Sequence, residues 1–364
     1  MTLAAWLVWA AASAAPFRIG VDVRTPLGLG SSTQAESDRG ASADDRLTVR
    51  GPAVLHLCRS SVAPAPGEWD FTASDSVLRA ASGPVIGVLC LDSPLASGSG
   101  NGVPGEVEPK ITHYVERVVR HNAGTIRYWQ VGGAESAPSS NHHEHGMRVG
   151  TIARLIRKLD PDAIVVLGAT AQGFDSLDSS QWASFLSGAG SDAFDIVAYR
   201  TLVRRTDLID GLRAAGYSGF SLWRILDDSA TIATGNNRAV AALKSTVEAW
   251  VSGDESVFWF AELLQKAERS NPSHTLFMLV RDHLQTFTSV SRMKGLKRGQ
   301  HGYRFDLADG SYRWLVWGVG TMKVPTDPYA KALTPVLSHP DDRHQWKGVP
   351  DALPLTATPV LLRN

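Results

Sequence analysis

Eight short apolar runs, rich in β-branched and aromatic residues, recur along the first 263 residues, and this rhythm limits what the chain can fold into. They are FRIGVDV (17–23), AVLHLCR (53–59), VIGVLCL (85–91), IRYWQVGG (126–133), AIVVLGA (163–169), DIVAYRT (195–201), GFSLWRIL (219–226) and SVFWFAEL (256–263). Several are apolar almost throughout, which predicts strands covered on both faces. Helical patterns lie between them. THYVERVVRHN carries apolar residues at helical spacing, HGMRVGTIARLIRKLDPD stops at Asp160-Pro161, DLIDGLRAAGYSG ends on Gly219, and NNRAVAALKSTVEAWVSG follows the same plan. Eight strands alternating with helices predict a (β/α)8 TIM barrel. The polar, glycine-interrupted stretch SSTQAESDRGASADDRLTVRG predicts an irregular first unit.

The rhythm changes after about residue 298. YRFDL and YRWLVWG flank Ala308-Asp309-Gly310, a hairpin signal, and LPLT and PVLLR read as two further short strands. Residues 299–364 are therefore expected to form a small C-terminal β domain of sandwich-like type, with the barrel over 16–298. The segment "MTLAAWLVWAAASAAPF" reads as an export signal over 1–15: its apolar run is too short to span a bilayer, and Ala12-Ser13-Ala14 fits a small-x-small cleavage site. Secretion, or a periplasmic location, is the expectation, with no stable membrane span later in the chain.

The 36 basic and 36 acidic residues cancel, and no concentrated basic face is visible, which argues against a nucleic-acid partner. Eleven tryptophans exceed what a plain core requires. Aromatic faces pack well on the apolar face of a pyranose, so some are candidates for carbohydrate contact and the rest for the core. The two cysteines, Cys58 and Cys90, each stand sixth in their runs, the second and third predicted strands. Neighbouring barrel strands lie about 4.8 Å apart, so a disulfide between them is expected in an exported chain.

Other groupings carry less. "NHHEHG" (141–146) lacks fixed ligand spacing and reads as a polar loop and helix start, so no metal is expected. "PLGLGSS" (26–32) has no lysine and is not a P-loop. His56, Ser60 and Ser61 lack a nucleophile signature. No cofactor is called for.

Six stretches, in order, resemble clan A glycoside hydrolases, nearest the family 39-like enzymes. "APAPGEWDFTASDSVLRAA" resembles P-x-x-G-x-W-D-F and its helix, and "IRYWQVGGAES" resembles the strand Y-W-E-V-W-N-E-P. "LIRKLDPDAIVVLGA" resembles the next helix and strand, "FDIVAYRTL" resembles F-D-V-V-x-H-x-Y, "SLWRILDD" resembles L-W-I-T-E, and "SVFWFAEL" resembles the last barrel strand. The resemblance covers roughly 17–298. It implies an acid/base after strand four and a nucleophile at the end of strand seven, which in retaining enzymes lie about 5–5.5 Å apart.

The departures fall on those positions. The acid/base position is Ala134, preceded by Gly133, and the nucleophile position is Leu226. The family's histidine and tyrosine at strand six become Arg200 and Leu202. Alanine has no proton to give, and leucine cannot attack an anomeric carbon. The leading expectation is thus an exported barrel that binds oligo- or polysaccharide, or an envelope protein partner, through a degenerate centre. An active glycosidase using the shifted carboxylates Glu135 and Asp227, and a structural subunit of an envelope or polysaccharide-secretion assembly, stay open beside it. Trp129, Gln130, Arg200, Trp223 and Glu262 are the candidate substrate contacts. An ion pair between Arg200 and Glu135 or Asp227 is also expected, because a buried arginine requires an anion.

Overall fold

The structure, a computed structural model, describes residues 19–23, 52–63, 67–81, 83–90, 107, 109–132, 141–169, 174–226, 236–260, 272–284, 286–323, 332–335, 352–355 and 359–363. The proposed export segment lies outside them. No helix among the described residues is long and apolar enough to cross a membrane.

Each of the eight apolar runs contains a strand: β1 (Ile19–Val23), β2 (Ala53–Cys58), β3 (Val85–Cys90), β4 (Tyr128–Val131), β5 (Ile164–Ala169), β6 (Ile196–Arg200), β7 (Ser221–Ile225) and β8 (Ser256–Phe260). Seven of them, β1 to β7, pair successively and in parallel, in chain order. At the far edge the Leu226 amide donates to the Phe258 carbonyl, 3.0 Å away. Strands β3 and β4 are buried at every residue, as their unbroken apolar runs predict. Helices occupy the intervals: a single turn α1 (Arg59–Val62), then α2 (Thr72–Ala80), α3 (Pro109–Asn122), α4 (His142–Leu159), α5 (Ser179–Ala189) and α6 (Arg205–Ala214).

Sequence explains how these helices start and touch. Asn141 caps α4 by accepting from the Glu144 amide, and Glu144 pairs with Arg148 one turn on. Asp178 and Gln181 form a capping box on α5. Gly146 and Gly150 let α4 lie directly on α5. A Cβ at 146 would sit 1.9 Å from the Phe185 carbonyl oxygen, and one at 150 would sit 2.2 Å from that of Ala189. Their packing contributes to a core in which Val115, Val118, Ile152, Ile156, Phe185, Leu186 and Leu208 from the helices meet Leu57, Leu89, Trp129, Val131, Val165, Leu167, Val197 and Leu222 from the sheet.

The chain divides into two compact units, and the sheet just described belongs to the first. The second gathers helices α7 (Asn236–Val251) and α8 (Pro272–Leu284) with a five-stranded antiparallel sheet and a two-stranded one. Its strands are β9 (Phe287–Arg292), β10 (Gln300–Leu307), β11 (Tyr312–Gly318), β12 (Thr321–Lys323), β13 (Ala332–Pro335), β14 (Ala352–Pro354) and β15 (Val360–Arg363). Strands β10 and β11 are the expected hairpin. Gly310 takes the positive φ (79°) that the turn requires, and Asp309 accepts from the Ser311 amide. Trp250 packs against Phe287 and Phe305, while Glu248 accepts from the Tyr303 hydroxyl and from Arg292. Burial and the Glu248 carboxylate push the Tyr303 hydroxyl up to about 12. The antiparallel sheet reaches back to Phe287, ahead of residue 299, because FTSVSR pairs with β10.

Candidate functional site at the strand ends

Alternation along the strands sorts every side chain to one face or the other. Trp129, Val131, Leu167 and Val197 belong to the helix-covered face. The opposite, concave face is identified by contacts that leap across strands. The Tyr128 ring on β4 meets Trp223 on β7 at 5.5 Å, and Trp223 meets Phe258 on β8 at 5.4 Å. Strands three places apart can touch this way only if the sheet curls. The register then assigns His56, Cys58, Val88, Cys90, Tyr128, Gln130, Val166, Gly168, Ala198, Arg200, Trp223 and Ile225 to the concave face.

Gln130 is buried on this face and lies across β5. Gly168 makes the space. A Cβ there would stand 2.6 Å from the Gln130 Nε2, 2.8 Å from its Cγ and 2.1 Å from the Gly132 carbonyl oxygen. β4 ends at Val131, and Gly132 directly after it takes a positive φ (77°). Arg200 ends β6 half-buried, and the loop it begins carries Leu202, 46% exposed. Leu226, at the expected nucleophile position, is buried, and its amide is held by Phe258.

The remaining end of the face is the cystine. Cys58 and Cys90 are direct register partners, bridged, with Cα atoms 4.5 Å apart. The expected disulfide is present. The His56 Nδ1, two residues before Cys58, lies 3.9 Å from the Cys90 sulfur. The sequence presents His56 beside Ser60 and Ser61 with no nucleophile signature; the H-L-C spacing is the signal that matters, since on a strand it puts histidine and cysteine on one face.

Two of the candidate substrate contacts are placed by the structure. Trp129 does not line the concave face: it is fully buried against the helices. Gly87, its register partner on β3, leaves room for the indole, since a Cβ there would lie 3.0 Å from the Trp129 Cζ3. Trp223 does face inward, but it is buried between two other rings rather than offered to solvent. More broadly, of the eight described tryptophans only Trp69 is not buried. Their number reflects core volume. Ala134, Glu135, Asp227 and Glu262 lie outside the described residues, so the expected Arg200 ion pair does too. The NHHEHG segment provides the expected helix start, with Asn141 as the cap of α4. Its His145 is buried between Phe174 and Phe185 and has no hydrogen-bond partner on either ring nitrogen. Burial, and then Arg148 and His142, push it down to about 4.

No protein-family model and no curated protein sequence matches the chain. Solved structures do. The catalytic domain of GH30 xylanase C from Talaromyces cellulolyticus superposes with a TM-score of 0.60 at 11% identity, over 95% of this chain and 96% of that one. Xylanase 10B from Thermotoga maritima gives 0.47 at 12%, over 67% and 82%, and a thermostable mutant of a xylanase (Xyn10A) from Cellvibrio japonicus 0.45 at 14%, over 68% and 88%. The first match fixes the fold. This chain has a TIM-barrel-like α/β fold and a separate β domain.

Proposed function

We propose that this chain is an exported, clan A glycoside-hydrolase-like protein, nearest family 39, that binds polysaccharide through the carboxyl ends of its parallel strands and does not hydrolyse it. The observation that carries this reading is Leu226. At the position where the family resemblance requires a nucleophile stands a buried aliphatic side chain whose amide is fixed in the ladder. Ala134 at the acid/base position supports it from the sequence. Gln130 and Arg200 supply hydrogen-bond donors at the end of the sheet where barrel enzymes carry their sites. Glu135, Asp227 and Glu262 stand four, two and two residues after the ends of β4, β7 and β8 in sequence.

The strand order β1 to β8 supports closure into a full (β/α)8 barrel. The proposed boundaries are an export signal over 1–15, the barrel over 16–298 and the β domain over 299–364. The cystine fits an oxidising compartment. The xylanase neighbour makes xylan fragments the first ligands to try. The test is a panel of xylo-, gluco- and manno-oligosaccharides, read by calorimetry for binding and by product analysis for cleavage. Binding without turnover supports the proposal. Turnover abolished by Glu135→Gln and by Asp227→Asn would replace it with the shifted-carboxylate glycosidase.

A further inference from the structure

We propose that, once its cystine is reduced, the His56–Cys58–Cys90 corner of the sheet binds a thiophilic divalent cation of the zinc class. Among the described residues this is the grouping of metal-ligating side chains whose donor atoms converge: the His56 nitrogen and both sulfurs lie within 4.8 Å of one another. A tetrahedral zinc centre, with bonds of about 2.0–2.3 Å, wants its donors about 3.5–3.8 Å apart. The His56 Nδ1 to Cys90 Sγ distance is already 3.9 Å. Two features of the fold hold the donors in place. His56 and Cys58 share a face by strand alternation, and Cys90 is the register partner of Cys58 on β3. Leu57, between them, is buried on the other face, and its carbonyl accepts from the Tyr114 hydroxyl of α3, which anchors the strand. His56 and Cys58 are partly exposed, so an ion has a path in, whereas Cys90 is buried.

The chemistry balances with a dithiol as reductant. It gives two electrons and two protons, breaks the S–S bond to leave two thiols, and closes to its own disulfide. A divalent cation then displaces the two thiol protons to solvent and takes two thiolates and a neutral imidazole. The charges of the cation and the two thiolates cancel, which makes the assembly inexpensive to hold at a partly buried strand end. Three protein donors leave a fourth position for water or a ligand oxygen, on the face that carries Gln130 and Arg200. The disulfide form has no thiolates to offer, so the cystine works as a redox lock on the site.

The experiment compares oxidised wild type with protein reduced anaerobically by dithiothreitol and freed of it by gel filtration. Thiol titration should count two free thiols, and the near-UV circular dichroism should be retained. Cobalt(II) is the probe, because thiolate–cobalt charge-transfer absorption reports sulfur ligation regardless of the other histidines. Reduced wild type should develop that absorption at one equivalent, lose it to one equivalent of zinc(II), and show none when oxidised. His56→Ala should weaken binding at least tenfold. The proposal is overturned by a reduced, folded protein without the absorption, by a reduced chain that loses its near-UV signal, or by His56→Ala binding cobalt as tightly as wild type.

Discussion

The two faces of β4 and its neighbours make unlike use of similar residues. On the helix side Trp129 is enclosed by apolar side chains and by Gly87, and its indole nitrogen has no hydrogen-bond partner among the described residues. On the concave side, one residue on, Gln130 lies over Gly168, with Arg200, His56 and the cystine at neighbouring strand ends. Both faces use a glycine to seat a large side chain, but one seats an indole and the other an amide. A tryptophan on a barrel strand therefore says little about sugar binding until its face is known, and the polar residue beside it says more.

That contrast can be broken most forcefully at Trp129. Replacing it with alanine leaves a cavity in a packed layer and should cost about 3–5 kcal/mol in chemical denaturation. The protein that remains folded should keep the oligosaccharide affinity of wild type. A selective loss of affinity would return Trp129 to the binding site.

The helix layer should be equally intolerant of charge. With His145 at about 4 when folded and near its ordinary 6.5 when unfolded, the unfolded chain binds the extra proton between those values. Stability should be at its full value above about pH 6.5, fall as the pH drops towards 4, and lose on the order of 3 kcal/mol across the window, at 1.36 kcal/mol per pH unit. His145→Phe should flatten that part of the denaturation-versus-pH curve; an unchanged curve would contradict the assignment.

On the concave side Gly168→Ala puts a methyl against the Gly132 backbone oxygen, which cannot swing aside as a side chain can. It should cost about 1–3 kcal/mol and, unlike Trp129→Ala, should also lower oligosaccharide affinity by displacing Gln130. Equal affinity in the two variants would erase the distinction between the faces. The smallest effect expected is for Arg200→Ala, with about a tenfold loss of affinity, the worth of one hydrogen bond from a charged donor, and a change in stability below that of Gly168→Ala.

The sequence made much of this legible. The eight parallel-type strands were readable because strands covered on both faces are written as continuous apolar runs, and the cystine followed from two cysteines at matching places in neighbouring runs. β9 was not readable: FTSVSR is exposed at most of its positions and carries too few apolar residues to announce itself. The helix start in NHHEHG was readable, but the burial of His145 was not, because a run of polar residues gives no sign that one of them turns inward. The face of Trp129 was hidden for a different reason. Alternation gives two faces but not which one is concave; that took the Tyr128–Trp223 contact across the sheet.

The proposed function requires that the positions matching the family's catalytic pair do no chemistry while the strand ends bind sugar. The most direct measurement incubates purified protein with a reduced-end-labelled xylo-oligosaccharide, following binding by calorimetry and cleavage by chromatography of the same mixture. The account predicts saturable binding, weakened by Arg200→Ala, with the oligosaccharide recovered intact. Cleavage products that vanish in both Glu135→Gln and Asp227→Asn would contradict it and make the shifted carboxylates the active pair.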